Sequence, residues 1–226
     1  MLTVRIANMT AIISLSLAVC PVDAGITILE DLRRTTSWAE SWSGGNRSYD
    51  APDTATHPEF GGSGLIITGG FASWDGAIAS GQSWERSLIG LGGRIESRGR
   101  SIGHTITNND PVDQQSATIF SEVHYELTFR INQSALATYD AWVEADATVA
   151  LYDALGAVVF SGQGMFEQTL QAGEYRLLAK APLFIESVQY DGAIYDGSDY
   201  FFSLHVPAPT PTVLAAIALT ITRRRS

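Results

Sequence analysis

Val123-His-Tyr-Glu-Leu-Thr-Phe-Arg-Ile131 carries the clearest structural pattern in the sequence. Its odd-numbered residues are apolar, and its even-numbered residues are polar or charged. Successive side chains of a strand point to opposite faces, so this two-residue period is typical of a strand with one face in a core. We therefore predict a half-buried strand here, with Tyr125, Leu127 and Phe129 turned toward the core.

The same alternation recurs through the second half of the chain. It is clearest in residues 166–170, 175–181 and 200–206. Turn-forming residues separate the apolar runs at 153–156, 161–164 and 171–173. Short alternating strands with a turn every 8 to 12 residues or so are typical of antiparallel sandwiches. We predict an all-β fold, an antiparallel β-sandwich of the jelly-roll or Greek-key kind.

The first half of the chain carries weaker strand signals. Residues 43–64 are rich in Gly, Ser, Asn, Asp and Pro, and this composition predicts a long loop. Strands are expected in 25–42, at 65–67, in 77–89 and in 93–107. The run Asn-Asn-Asp-Pro at 108–111 predicts a turn.

Residues 1–24 have the pattern of a secretory signal peptide. Arg5 supplies the positive region, and 11–19 form a short, mostly apolar helix. Val22 and Ala24 occupy the −3 and −1 positions before Gly25, so cleavage is expected between Ala24 and Gly25. The alternative is lipidation of Cys20, which ends a Leu-Ala-Val-Cys run.

The C-terminal tail has three parts: the prolines that follow Val206, a short apolar run, and the basic cluster Arg223, Arg224 and Arg225. Prolines lack a backbone donor and end the preceding strand. The uncharged run from 210 to 222 has thirteen residues. As a helix it spans ~20 Å, whereas a bilayer core of ~30 Å usually needs ~20 residues. Arginines stay on the cytoplasmic side, so the tail is expected to make a transient stop during export.

That order of parts resembles the sorting tail of the PEP-CTERM family of exported bacterial proteins. Val206, Pro207 and Pro209 match the family's Val-Pro-Glu-Pro motif, while Ala208 stands where Glu is usual. A second resemblance is the run Leu-Gln-Ala-Gly-Glu-Tyr-Arg-Leu at 170–177, followed by a final strand at 202–206. The resemblance implies passage through the export machinery and cutting near the motif by an exosortase-like membrane protease.

Between the two ends, residues 25–206 have the size of a single domain. Removing 1–24 and 207–226 leaves 23 acidic and 10 basic residues, a net charge of −13. A surface of this sign disfavours nucleic acid as a partner. Cys20 is the only cysteine, so the mature domain has no disulfide or thiolate metal site, and its stability must come from a core.

No catalytic or cofactor-binding set emerges from the sequence. The four histidines lack metal-ligand spacing, and no Gly-x-Ser-x-Gly motif or phosphate-binding loop is present. Asp191, Asp196 and Asp199 are weak candidates for a calcium site, but turn formation explains these residues better. The five tryptophans are expected mainly in the core, although exposed in a row they would stack on sugar rings.

Three functions remain open at this point. The leading expectation is a non-enzymatic exported protein of the cell envelope or extracellular matrix, sorted by its tail. The first alternative is a carbohydrate-binding sandwich whose partner is an extracellular polysaccharide, and it requires exposed aromatic residues on one surface. The second is a secreted hydrolase, which requires a cleft where carboxylates converge.

Overall fold

The computed structural model describes residues 25–57, 62–90, 92–108, 114–188 and 191–207. These residues form strands and turns and contain no helix. The strands are β1 (Ile26–Ser43), β2 (Asn46–His57), β3 (Gly62–Trp74), β4 (Ala77–Gly90), β5 (Arg94–Thr107), β6 (Gln115–Ile131), β7 (Ala135–Glu144), β8 (Thr148–Asp153), β9 (Val158–Ser161), β10 (Gly164–Leu170), β11 (Gly173–Val188) and β12 (Gly192–His205). The helices expected within 1–24 and 212–222, and most of the turn at 108–111, lie outside the described residues.

The strands form two antiparallel sheets of six strands each. Sheet A has the order β2-β1-β6-β11-β8-β9, and sheet B has the order β10-β7-β12-β5-β4-β3. After the meander β3-β4-β5, the chain passes from one sheet to the other repeatedly. The predicted all-β sandwich is confirmed.

Strand β6 lies in the middle of sheet A, between β1 and β11. Every odd-numbered residue from 123 to 131 is at most 1% exposed, as the alternation predicts. The strand is longer than the alternating run, because it begins at Gln115. Of its earlier inward positions, only Ile119 is bulky and apolar; the others are Gln115, Ala117 and Ser121, which contribute little to a hydrophobic period.

The long loop expected at 43–64 is wrong. Strand β2 occupies most of it, pairs along β1 and is the edge strand of sheet A. Gly44 and Gly45 make the hairpin turn with φ of 55° and 83°, a region that glycine enters without strain. A ladder is held by backbone hydrogen bonds, so an edge strand tolerates the polar composition that had indicated a loop.

The core has two unlike parts. We call the first the aromatic end; it is a large cluster that includes Tyr125, Phe129, Tyr175, Tyr200 and Phe202. We call the second the small-residue end; it consists of Ala39, Ala72, Ala79, Ala117, Ile119, Leu183 and Ile185.

Candidate functional site

The predicted sorting motif begins where the sandwich ends. Val206 is buried, and its N–H donates to the carbonyl oxygen of Gly93 at 2.9 Å. A Cβ placed on Gly93 would meet the Val206 oxygen at 2.0 Å and Ile26 Cδ1 at 3.6 Å. The first and last strands therefore enter and leave the sandwich at the same end. Pro207 is the last described residue, so Ala208, Pro209, the three arginines and Ala24 lie outside the described part.

The three calcium candidates do not converge. Residues 196–199 belong to β12 and not to a turn. Asp196 and Asp199 are three residues apart on this strand, so they point to opposite faces. Asp199 is instead in contact with Arg98 Nη2 at 3.1 Å and Arg100 Nε at 4.0 Å. Within the described residues, no three His, Cys, Asp or Glu side chains come together as a metal site.

The histidines whose side chains are described make separate contacts. His124 and His205 lie on outward faces of their strands, and His124 Nε2 is 3.3 Å from Glu126 Oε2. His104 stacks on Tyr195, with 5.3 Å between the ring centroids. These rings are dispersed over both sheets, so they do not form a joint catalytic or metal-binding group.

Sequence reasoning missed a charged group inside the sandwich. Arg33 is 1% exposed and forms two hydrogen bonds with Asp31, at 3.0 and 2.5 Å. Glu85 faces them from sheet B, is 0% exposed and accepts a hydrogen bond from Ser97 at 2.9 Å. The only sequence signal was that Asp31 and Arg33 share one face of β1.

The environment of this group changes its protonation. Burial raises the pKa of Glu85 to about 7, although the Ser97 hydrogen bond and the charge of Arg33 both favour the carboxylate. Burial also raises the pKa of Tyr125, which lies beside the same charges. Two carboxyl groups therefore meet here, but in the core and not in a cleft. A secreted hydrolase would need them within reach of a substrate.

The tryptophans are not in the core, contrary to prediction. Trp74 and Trp142 are 44% and 43% exposed. Trp38, Trp42 and Trp84 are half-buried on the outer faces of their strands. On the inner face, the neighbours of Trp38 are the small residues Ser37 and Ala39. A Cβ placed on Gly70 of sheet B would lie 2.9 Å from the Trp38 carbonyl carbon, so the sheets are too close there to hold an indole between them.

Four aromatic side chains line up across the outer face of sheet A. We call them the aromatic row: Tyr49 on β2, Trp38 on β1, Phe120 on β6 and Phe184 on β11. The ladder sets Trp38 opposite Phe120, and Phe120 opposite Phe184. The ring centroids of Trp38 lie 6.4 Å from Tyr49 and 6.3 Å from Phe120. Sheet register therefore joins residues that are distant in sequence.

The aromatic row is accessible and has polar neighbours. Phe184 is 60% exposed and Tyr49 is 49% exposed. On β6, Thr118 and Glu122 are the next outward residues on either side of Phe120. On β11, Glu186 is the next outward residue after Phe184. Exposed rings can stack on the flat side of a sugar, and the neighbouring hydroxyl and carboxylate oxygens can accept hydrogen bonds from its hydroxyl groups.

Neither a search for membrane-spanning helices nor comparison with known proteins assigns a function. Among the described residues, no helix is long and apolar enough to cross a membrane. The chain matches none of the family models, curated proteins or solved structures with which it was compared.

Proposed function

We propose that this chain is an exported, non-enzymatic protein of the cell envelope or extracellular matrix, sorted by its tail. The observation that carries the proposal is the order of parts after Val206: prolines, a short apolar run and three arginines. A signal peptide at the other end agrees with it. Export machinery and an exosortase-like membrane protease are the partners. β1 begins and β12 finishes at the same end of the sandwich, and all twelve described strands lie between Ile26 and His205. Removing residues 1–24 and 207–226 therefore removes none of these strands.

The arginines are the first test of this proposal. The apolar run is too short to hold the chain in a bilayer alone, so the arginines must retain it on the cytoplasmic side. Replacing Arg223, Arg224 and Arg225 with Gln should release an unprocessed, soluble protein. Fractionation of the native host, with mass spectrometry of the C-terminus, measures both properties.

The proline motif is the second test, with the same measurements. Replacing Pro207 and Pro209 with Ala should trap an intact form in the membrane, because the protease loses its recognition turn. The substitution Ala208→Glu restores the usual motif and should leave processing intact or improve it. The proposal fails if the mature protein retains Ser226 and distributes like a control lacking residues 207–226.

A second function, polysaccharide binding, is favoured by one observation: the aromatic row. Its rings lie on four adjacent strands of a rigid sheet, so they present one surface without a loop that must first become ordered. Arg47, whose guanidinium lies over the Tyr49 ring at 4.9 Å, is neutralised by its ion pair with Glu40. The nearby outward residues Glu122 and Glu186 are acidic. They repel an anionic chain and accept hydrogen bonds from a neutral one. The partner of this face is therefore a neutral extracellular polysaccharide.

Affinity gel electrophoresis tests this second function with soluble neutral polysaccharides such as hydroxyethyl cellulose, xylan and mixed-linkage glucan. Trp38→Ala and Phe184→Ala should each weaken retardation about tenfold, a loss of about 1.4 kcal/mol. Trp142→Ala is the control, because it removes an exposed indole from sheet B, away from the aromatic row. Binding that survives both row substitutions, or that Trp142→Ala weakens equally, contradicts the assignment.

A further inference from the structure

Sheet B carries a concentration of arginine on its outer face. Four of the ten basic residues of 25–206 lie on the outward side of just two strands: Arg86 on β4, and Arg94, Arg98 and Arg100 on β5. The outward positions of those two strands hold a single acid, Glu96. A domain with a net charge of −13 therefore has a locally positive surface here.

Two of these arginines face each other directly. Arg86 and Arg98 are partners in the β4–β5 ladder. Like charges directly opposite each other destabilise a sheet, so the pair lowers the free energy of unfolding of the ligand-free protein. Arg98 offsets part of this cost through Asp199, at 3.1 Å, and by lying over the Trp84 ring at 5.8 Å. Arg86 has no ion pair or side-chain hydrogen bond with any described residue.

The pair borders a shallow pocket of about 320 Å³. Leu88 and Phe201 supply apolar surface to it, and Glu96 at its margin is already paired with Arg94. Pockets of this size hold small ligands or one part of a longer chain. A guanidinium group matches a carboxylate with two parallel hydrogen bonds, and Arg98 is already oriented by its two contacts.

We propose that this pocket binds a carboxylate-bearing sugar of an acidic polysaccharide between Arg86 and Arg98. The carboxylate neutralises the facing guanidinium groups, and the sugar ring lies against Leu88 and Phe201. The site lies on the opposite sheet from the aromatic row, so it is independent of the neutral-polysaccharide function. One sandwich would then join an acidic and a neutral polysaccharide.

Isothermal titration with oligogalacturonate tests the site, and the methyl-esterified oligomer serves as the uncharged control. The wild-type domain should bind the acid form, more weakly as salt rises, and should not bind the ester. Arg86→Gln and Arg98→Gln should each weaken binding at least tenfold. Arg130→Gln is the matched control: it removes the same charge from an ion-paired arginine that is 53% exposed on sheet A, so it should change binding less than twofold.

Three results would overturn the proposal: equal binding of the ester, a loss in Arg130→Gln equal to that in Arg86→Gln, or no binding of the acid form at millimolar concentration. Preference for a sulfated oligosaccharide would overturn the carboxylate assignment. Thermal unfolding supplies an independent readout. Without ligand, Arg86→Gln should raise the midpoint of thermal unfolding, because it removes the repulsion between the facing guanidinium groups. A lowered midpoint would show that Arg86 stabilises the fold and would contradict the proposal. Trp38→Ala should leave this binding unchanged.

Discussion

The two ends of the core hold the sheets together in different ways. At the aromatic end, large rings fill the space between the sheets, with 5.7 Å between the centroids of Tyr125 and Phe202 and 5.8 Å between those of Phe129 and Tyr175. At the small-residue end, the sheets approach more closely. A Cβ placed on Gly70 of sheet B would lie 2.9 Å from the Trp38 carbonyl carbon of sheet A.

Hydroxyl groups replace hydrophobic bulk beside the small-residue end. Ser37 Oγ lies 2.8 Å from Ser83 Oγ, 3.1 Å from Ser121 Oγ and 3.2 Å from Thr68 Oγ1. Ser37 and Ser121 belong to sheet A, while Thr68 and Ser83 belong to sheet B. These contacts therefore link the two sheets. One sandwich therefore draws its stability from buried apolar area at one end, and from close backbone approach and hydroxyl hydrogen bonds at the other.

The largest effect is expected from emptying the aromatic end. Phe129→Ala should lower the free energy of unfolding by about 3 to 5 kcal/mol, since it removes a ring that is 0% exposed. Phe120→Ala is the control on the outward face of the same strand and should cost less than about 1 kcal/mol. Chemical denaturation measures both, and a loss well under 1 kcal/mol for Phe129→Ala would contradict the burial of this face.

A pH effect is expected at the buried charges between the two ends. The pKa of Glu85 is about 7 in the folded protein against an ordinary 4.5, so between these values the folded state holds a proton that the unfolded state releases. Stability from this group is therefore full below pH 4.5 and falls as pH rises to 7, by on the order of 2 to 3 kcal/mol. Asp31, Arg33, Tyr125 and Tyr200 are the ionisable groups that face it, and Tyr200 shares the Ser97 hydroxyl with it.

Urea denaturation of the wild type and of Glu85→Gln at pH 5 and pH 8 isolates this contribution. The amide cannot ionise, so the variant should lose less stability than the wild type over the same interval. Equal losses in the two proteins would show that Glu85 does not titrate in this range.

A smaller effect is expected from adding bulk at the small-residue end. In Gly81→Ala, the new Cβ would meet Ile119 Cδ1 at 2.1 Å, so the change should cost about 1 to 3 kcal/mol through overpacking. Ile119→Val removes that methyl group and should recover part of the loss. Gly69→Ala is the outward control, because its nearest contact is an ordinary 3.6 Å. If the stability losses of Gly81→Ala and Ile119→Val simply add in the double variant, the close approach of Gly81 to Ile119 is contradicted.

The smallest effect is expected from the hydroxyl contacts. Ser37→Ala removes the group shared by three other hydroxyls and should cost about 1 kcal/mol. Ser41 is equally buried on the same face of β1, but its Oγ has no hydrogen-bond partner among the described residues. Ser41→Ala should therefore be neutral or stabilising. If the two substitutions have equal effects in thermal unfolding, the hydroxyl contacts do not hold this end together.

The two ends of the core also differ in how well their strands can be predicted from the sequence. Strands at the aromatic end were visible because bulky apolar residues alternate with polar ones, as in residues 123–131. Strand β1 was harder to identify, since its inward face holds Thr35, Ser37 and Ser41 among its small residues. Such side chains suit a close approach of two sheets but produce no hydrophobic period. The polar edge strand β2 was missed for a related reason.

The all-β class and most strands of the second half follow from the sequence alone, because local alternation and turns set them. The division into two terminal segments and one domain-sized body stays a prediction from composition and motifs. The aromatic row, the buried Asp31–Arg33 pair beside Glu85, and the facing Arg86 and Arg98 are visible only in the three-dimensional structure. Each of these depends on which strands are neighbours and in what register. Alternation shows the face on which a side chain lies, but the strand partner is chosen by packing over the whole sandwich.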